Sequence, residues 1–134
     1  MFKTFRTNPL LSRSLPAVAA AALLCALTGQ AHALTLKVKC ETRAGRSTAS
    51  VDAAGLAAGQ YGSTVLSGAN TASSPLDVAV AGEVGFDYAS NPKDIHKGAA
   101  PIAADFIQGQ AVTGVLLDAH GVELARKSAV CRAR

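Results

Sequence analysis

The chain has no tryptophan, only two tyrosines and only four phenylalanines. Aromatic platforms on which a sugar ring stacks are therefore scarce, which disfavours a lectin or a glycosidase. Sustained helical periodicity is also missing after residue 33, so no amphipathic helix is available to cover a sheet. An excess of one charge is missing as well. Three of the 13 basic residues (Lys3, Arg6 and Arg13) precede residue 33, and the remainder holds ten basic and nine acidic side chains. A domain so near neutrality lacks the electrostatic footprint for nucleic acid or an anionic membrane surface. No G-x-S-x-G elbow, EF-hand loop or paired Cys/His spacing for zinc occurs.

What is present begins with an address. The basic start is followed by an apolar run from Leu15 to Thr28, and then by Gln30-Ala31-His32-Ala33. A charged start, an apolar middle and a small-x-small end are the three parts of a secretory signal peptide. The expected cut follows Ala33, leaving one domain of 101 residues from Leu34 to Arg134. A membrane-spanning helix needs about 20 apolar residues, and this run is shorter, so no span is expected after cleavage. Lipidation at Cys25 is disfavoured, because Leu24 stands where a small residue normally precedes a lipidated cysteine. The expected compartment is the periplasm or the extracellular medium.

Two cysteines remain after the cut, Cys40 and Cys131, one near each end. An even count in an exported chain reads as a disulfide. Closing a loop of this length stabilises the fold by roughly 4–5 kcal/mol on loop-closure arithmetic.

Alternation with period two dominates the pattern and predicts strands. Leu34, Leu36, Val38 and Cys40 share one face of the first strand. Further strands are expected at 46–51, 61–67, 76–80, 83–88, 111–117 and 122–131. Pro75 puts the 76–80 strand at a sheet edge, and Ala81-Gly82 makes a tight hairpin to the next. The apolar run in 111–117 predicts a central strand. Lys93–Lys97 fits one helical turn inside the irregular stretch 90–104. About seven short strands in some 100 residues predict an all-β, two-sheet β-sandwich, with the disulfide joining first and last strands.

Gly55-Leu56-Ala57-Ala58-Gly59-Gln60-Tyr61 resembles the G-L-x-x-G-x-Y corner that leads into a strand in many immunoglobulin-like and fibronectin-type sandwiches. The resemblance implies that Leu56 plugs the core and that Gly59 turns the chain. It also implies that Tyr61 packs its ring inward and bonds its hydroxyl back to the corner. It speaks to fold, not to activity.

The search for chemistry yields little. Ser90-Asn91-Pro92-Lys93 matches the S-x-x-K pair of penicillin-binding enzymes, but Pro92 intervenes and the partner motifs are missing. Asp87, Asn91, Asp94, His96 and Asp105 are the only candidates for a loop cation site, and Asn91 and Asp94 serve as well to cap turns. His120 falls in a turn. Arg126, Arg132 and Arg134 alternate onto one side of the last strand, which guards a sheet edge or meets an acidic envelope partner. No catalytic residue and no cofactor are read. The expectation is a non-enzymatic module that binds an envelope or extracellular protein. The alternative is an assembling, fimbria-like subunit donating Leu34–Cys40 as a strand. The sequence leaves the oligomeric state open.

Overall fold

A computed structural model describes residues 33–134. The expected signal peptide, residues 1–33, lies outside the described residues except for Ala33. Ten strands and one short helix follow in the order β1 (Thr35–Arg43), β2 (Arg46–Ala54), β3 (Gln60–Ser67), β4 (Asn70–Ser73), β5 (Asp77–Val78), β6 (Val84–Ala89), α1 (Pro92–His96), β7 (Ala100–Pro101), β8 (Ala111–Asp118), β9 (Glu123–Val130) and β10 (Arg132–Ala133). They form two sheets. Sheet A runs β10-β1-β2-β6-β7, and sheet B runs β4-β3-β8-β9, with β5 also on β3. Among the described residues no helix is long and apolar enough to cross a membrane.

The alternation explains the layers. Val38 and Cys40 of β1, Ala49, Val51 and Ala53 of β2, and Val84, Phe86 and Tyr88 of β6 are buried on the inner face of sheet A. Tyr61, Ser63, Val65 and Ser67 of β3 and Val112 and Leu116 of β8 answer from sheet B. The layers touch most closely at Gly114, where a Cβ would sit 2.6 Å from Val38 Cγ2 and 2.9 Å from Val51 Cγ2. A side chain there would push the sheets apart, because interiors are close-packed. β8 is central, as its apolar run predicts, between β3 and β9.

Cys40 and Cys131 are joined, with their Cα atoms 4.6 Å apart. The bridge ties β1 to the point where the chain leaves β9 in sheet B and enters β10 in sheet A. β10 then pairs parallel to β1, Glu41 opposite Arg132.

Several expectations need correction. The strand count is ten, not about seven, because β4, β7 and β10 are too short to alternate visibly. The 76–80 strand is reduced to Asp77–Val78 on the edge of sheet B, leaving Leu76, Val78 and Val80 exposed. The 122–131 strand breaks at Cys131, so Arg126 and Arg132 belong to different sheets rather than to one side of one strand. Arg126 pairs with Glu123 at 2.7 Å, while Arg134 reaches Glu41 at 3.2 Å.

Candidate functional site

The site starts from a two-residue turn. Ala81 and Gly82 both take positive φ (53° and 78°), and Val80 and Glu83 bridge across them. Such a turn normally continues into a paired hairpin. Here the arms separate after one bridge. β5 pairs with β3 in sheet B through Gln60↔Val78 and Tyr61↔Asp77. β6 pairs with β2 in sheet A from Thr48↔Ala89 to Ala53↔Val84. The arms differ in what they bury: β6 turns two large aromatic rings inward, and the 76–80 arm turns its aliphatic side chains out. Val84, Phe86 and Tyr88 gain burial against sheet B, whereas Leu76, Val78 and Val80 face outward.

A polar staple holds the root of the opening. The Tyr88 hydroxyl shares a hydrogen bond with Ser63 Oγ, linking the two sheets. Ser63 N–H donates to Ser74 Oγ at 3.1 Å, and Ser74 N–H donates to the Ser63 carbonyl at 3.0 Å. Burial pushes the Tyr88 phenol above its usual 10.0, and its hydrogen bonds to Ser63 and Ser74 pull it only partly back. Among the described residues no buried side-chain polar atom is left without a partner. These serines escape sequence reading, since a buried serine carries no periodic signal.

A cavity of about 890 Å³ opens between the separated arms, with Ser74–Asp77 on one wall and Gly85–Ala89 on the other. Gly98–Ala100 also line it, and it continues over the outer face of sheet A to Lys39, Glu41 and Arg132. That face is polar. Its cross-strand rows are Lys37–Asp52–Gly85, Lys39–Ser50–Asp87 and Arg132–Glu41–Thr48–Ala89. Gly85 leaves a flat spot over which Asp52 leans, its Oδ1 only 2.7 Å from where a Cβ would stand. Three ion pairs form among the described residues: Arg43–Glu41, Arg126–Glu123 and Arg134–Glu41. None uses Asp52, Asp77, Asp87 or Asp94.

The candidates named from sequence are divided by this geometry. Asp87 and Asp94 line the cavity together. Asn91 and Asp94 line a smaller one of about 200 Å³ with Glu41, Arg43 and Arg46. His96 and Asp105 line neither. Asn91 caps α1, its Oδ1 accepting from Lys93 N–H at 3.1 Å, with Pro92 in the first turn. Among the described residues no three His, Cys, Asp or Glu side chains converge as a metal set. Ser90 Oγ accepts from Ser47 N–H at 2.9 Å, which extends the β2–β6 ladder. At the corner, Tyr61 donates its hydroxyl to the Ala57 carbonyl at 2.8 Å, and Leu56 packs half-buried on the core. The Gly59 carbonyl accepts from Ala79 N–H at 2.9 Å, so the corner also anchors the β5 arm.

A second surface differs in kind. The outer face of sheet B carries exposed aliphatic side chains, among them Leu76, Val78 and Leu124, with Leu76 lying over Gly62. No protein-family model, curated protein or solved structure matches the chain. The fold and the site define an all-β, two-sheet protein with one disulfide and a polar cleft in one flank.

Proposed function

We propose that the protein is exported by a signal peptide cut after Ala33 and works as a non-enzymatic binding module for an envelope or extracellular protein. Its binding surface on this reading is the cleft between β5 and β6. The carrying observation is the cleft itself: open, polar and walled by diverging strands, with unpaired carboxylates. Export is supported by the charged, apolar and small-x-small pattern of residues 1–33 and by the Cys40–Cys131 disulfide, which is compatible with an oxidising compartment.

An immunoglobulin-like identity is part of the same proposal. It is supported by the partition of strands, with β1, β2 and β6 adjacent in one sheet and β3, β8 and β9 in the other. This matches the A-B-E and C-F-G partition of such sandwiches. The Tyr61–Ala57 bond makes a tyrosine corner as well, but at the entry to β3, the C position of this partition, and not at the F position where such sandwiches carry it.

The test is recovery of a partner from native envelope or culture fluid with wild type and with Gly85→Arg. The backbone at 85 accepts a side chain, since only the mobile end of Asp52 stands in the way. A specific partner captured by wild type and lost with Gly85→Arg supports the reading. Equal capture by both, or no specific capture, contradicts it.

A further inference from the structure

The cleft leaves part of a sheet edge without partners. Ile102 N–H donates to the Ala89 carbonyl at 3.0 Å, so Ala89 turns its main chain toward β7. Ser90 N–H donates to the Ser47 carbonyl at 3.0 Å, so Ser90 turns toward β2. In a strand these directions alternate residue by residue. Asp87 and Gly85 therefore face away from β2, as Ala89 does. β7 pairs only with Tyr88 and Ala89 and stops there. The Asp87 C=O is already taken by β7, since the parallel Tyr88↔Ala100 pairing needs a bond from Ala100 N–H and Pro101 has no N–H to offer instead. The Asp87 N–H and both main-chain groups of Gly85 have no strand partner among the described residues, and both residues are exposed along the cleft wall. The line that β7 begins is thus vacant beyond that bond.

This edge differs from the other long free edge, at β9. That strand is broken by an irregularity opposite Leu116/Leu117 and carries Arg126 and Lys127, the usual guards against strand addition. The β6 edge has no bulge. It has a glycine, and its flanking charges are acidic: Asp77 on one wall, and Asp87 and Asp52 on the other side.

We propose that the cleft takes an extended, basic segment of a partner polypeptide, added as a strand along Gly85–Asp87. The inference rests on the cleft being the binding surface and names what enters it. The N–H and C=O of Gly85 and the N–H of Asp87 supply the ladder, continuing the line of β7, and specificity comes from alternate side chains. A Lys or Arg on the outer face opposite Gly85 meets no side chain there. It lies between Asp52, which leans over the glycine, and Asp87, two residues along the same face. Lys39, Lys97 and Arg132, which also line the cavity, disfavour a segment that is basic throughout, so the alternating pattern of Lys with small or aliphatic residues fits best.

The test uses the disulfide-bonded protein and three blocked heptapeptides: alternating lysine and valine, the same with glutamate for lysine, and the lysine peptide with N-methylated valines. The lysine peptide should slow hydrogen exchange of the Gly85 and Asp87 amides about tenfold at ten times its Kd. The glutamate peptide should bind at least tenfold more weakly, and so should the N-methylated one, which keeps the charge and loses the ladder. Asp87→Pro removes the outward N–H and leaves the β2 ladder intact, because an edge position tolerates proline. It should abolish protection, whereas Asp87→Asn should weaken binding only a few-fold. Equal binding of the N-methylated peptide, or protection at the β9 edge instead, overturns strand addition. If Gly85→Arg loses the native partner while no peptide protects Gly85 and Asp87, the cleft reading survives and strand addition fails. If Gly85→Arg keeps that partner, the cleft reading itself fails.

Discussion

The chain passes between the two sheets four times, and two of these passages, on different flanks of the sandwich, are built in opposite ways. At Cys131 it steps from β9 to β10, and the step is sealed. The disulfide fixes it to β1, β10 pairs with β1, and Cys131 N–H donates to the Gln110 carbonyl at 2.7 Å. At Ala81-Gly82 it steps from β5 to β6, and the step is left open. One bridge closes the turn, and beyond it the arms part around the cavity. The same topological act thus yields a structural seam on one flank and an accessible edge on the other. Stability should concentrate at the seam, and binding at the opening.

The largest expected effect breaks the seam. Replacing Cys40 and Cys131 by Ala should cost about 4 kcal/mol and lower Tm by roughly 20 °C, read by thermal denaturation. A loss below about 1 kcal/mol would mean that the seam is held by packing alone. Gly114→Ala attacks the packing beside it. The new methyl would meet Val38 and Val51, so a cost of about 2 kcal/mol is expected in urea unfolding.

On the open flank, Tyr88→Phe removes the inter-sheet hydrogen bond at the root of the cleft. Ser63 keeps Ser74 as a partner at 3.0 Å, so the cost should be about 1 kcal/mol. The pH dependence follows from the raised phenol. The neutral form is favoured in the folded state, so this contribution is full below pH 10 and is lost as pH rises toward the higher folded value. Wild type should lose stability on this limb, and Tyr88→Phe should lack that component. The smallest effect concerns Asp118, which accepts from Val122 N–H at 2.9 Å and His120 N–H at 2.8 Å in the β8–β9 turn. The Val122 bond chiefly holds its carboxyl below 3.8. Its contribution is present above 3.8 and is lost as pH falls through the lower folded value. Asp118→Ala should flatten the acid limb slightly and leave the cleft unchanged.

The seam was legible in the sequence and the opening was not. Two cysteines near the ends of a domain expected to be exported, one on the inward face of an alternating strand, suffice to infer the bridge. Long strands with one buried face, such as β1 and β2, declare themselves by period, and β8 declares itself by its apolar run. β4, β7 and β10 have two to four residues and no period to read. The cleft arises from a competition between arms. Both 76–80 and 83–88 alternate, and only packing shows that Phe86 and Tyr88 win burial while Val78 and Val80 lose it. Asp87 and Asp94 were singled out by residue type, and the fold brings them to one cavity. His96 and Asp105 shared that type and line neither cavity, although α1 itself brings Asp94 to both.

Per-residue amide exchange on the disulfide-bonded protein reads both flanks in one measurement. The Asp87 and Gly85 amides should exchange orders of magnitude faster than those of Phe86, in the β2 ladder, and Cys131, at the seam. Slow exchange at Gly85 and Asp87, matching Phe86, would mean that the β6 edge is already occupied and that the flank offers a partner nothing to pair with.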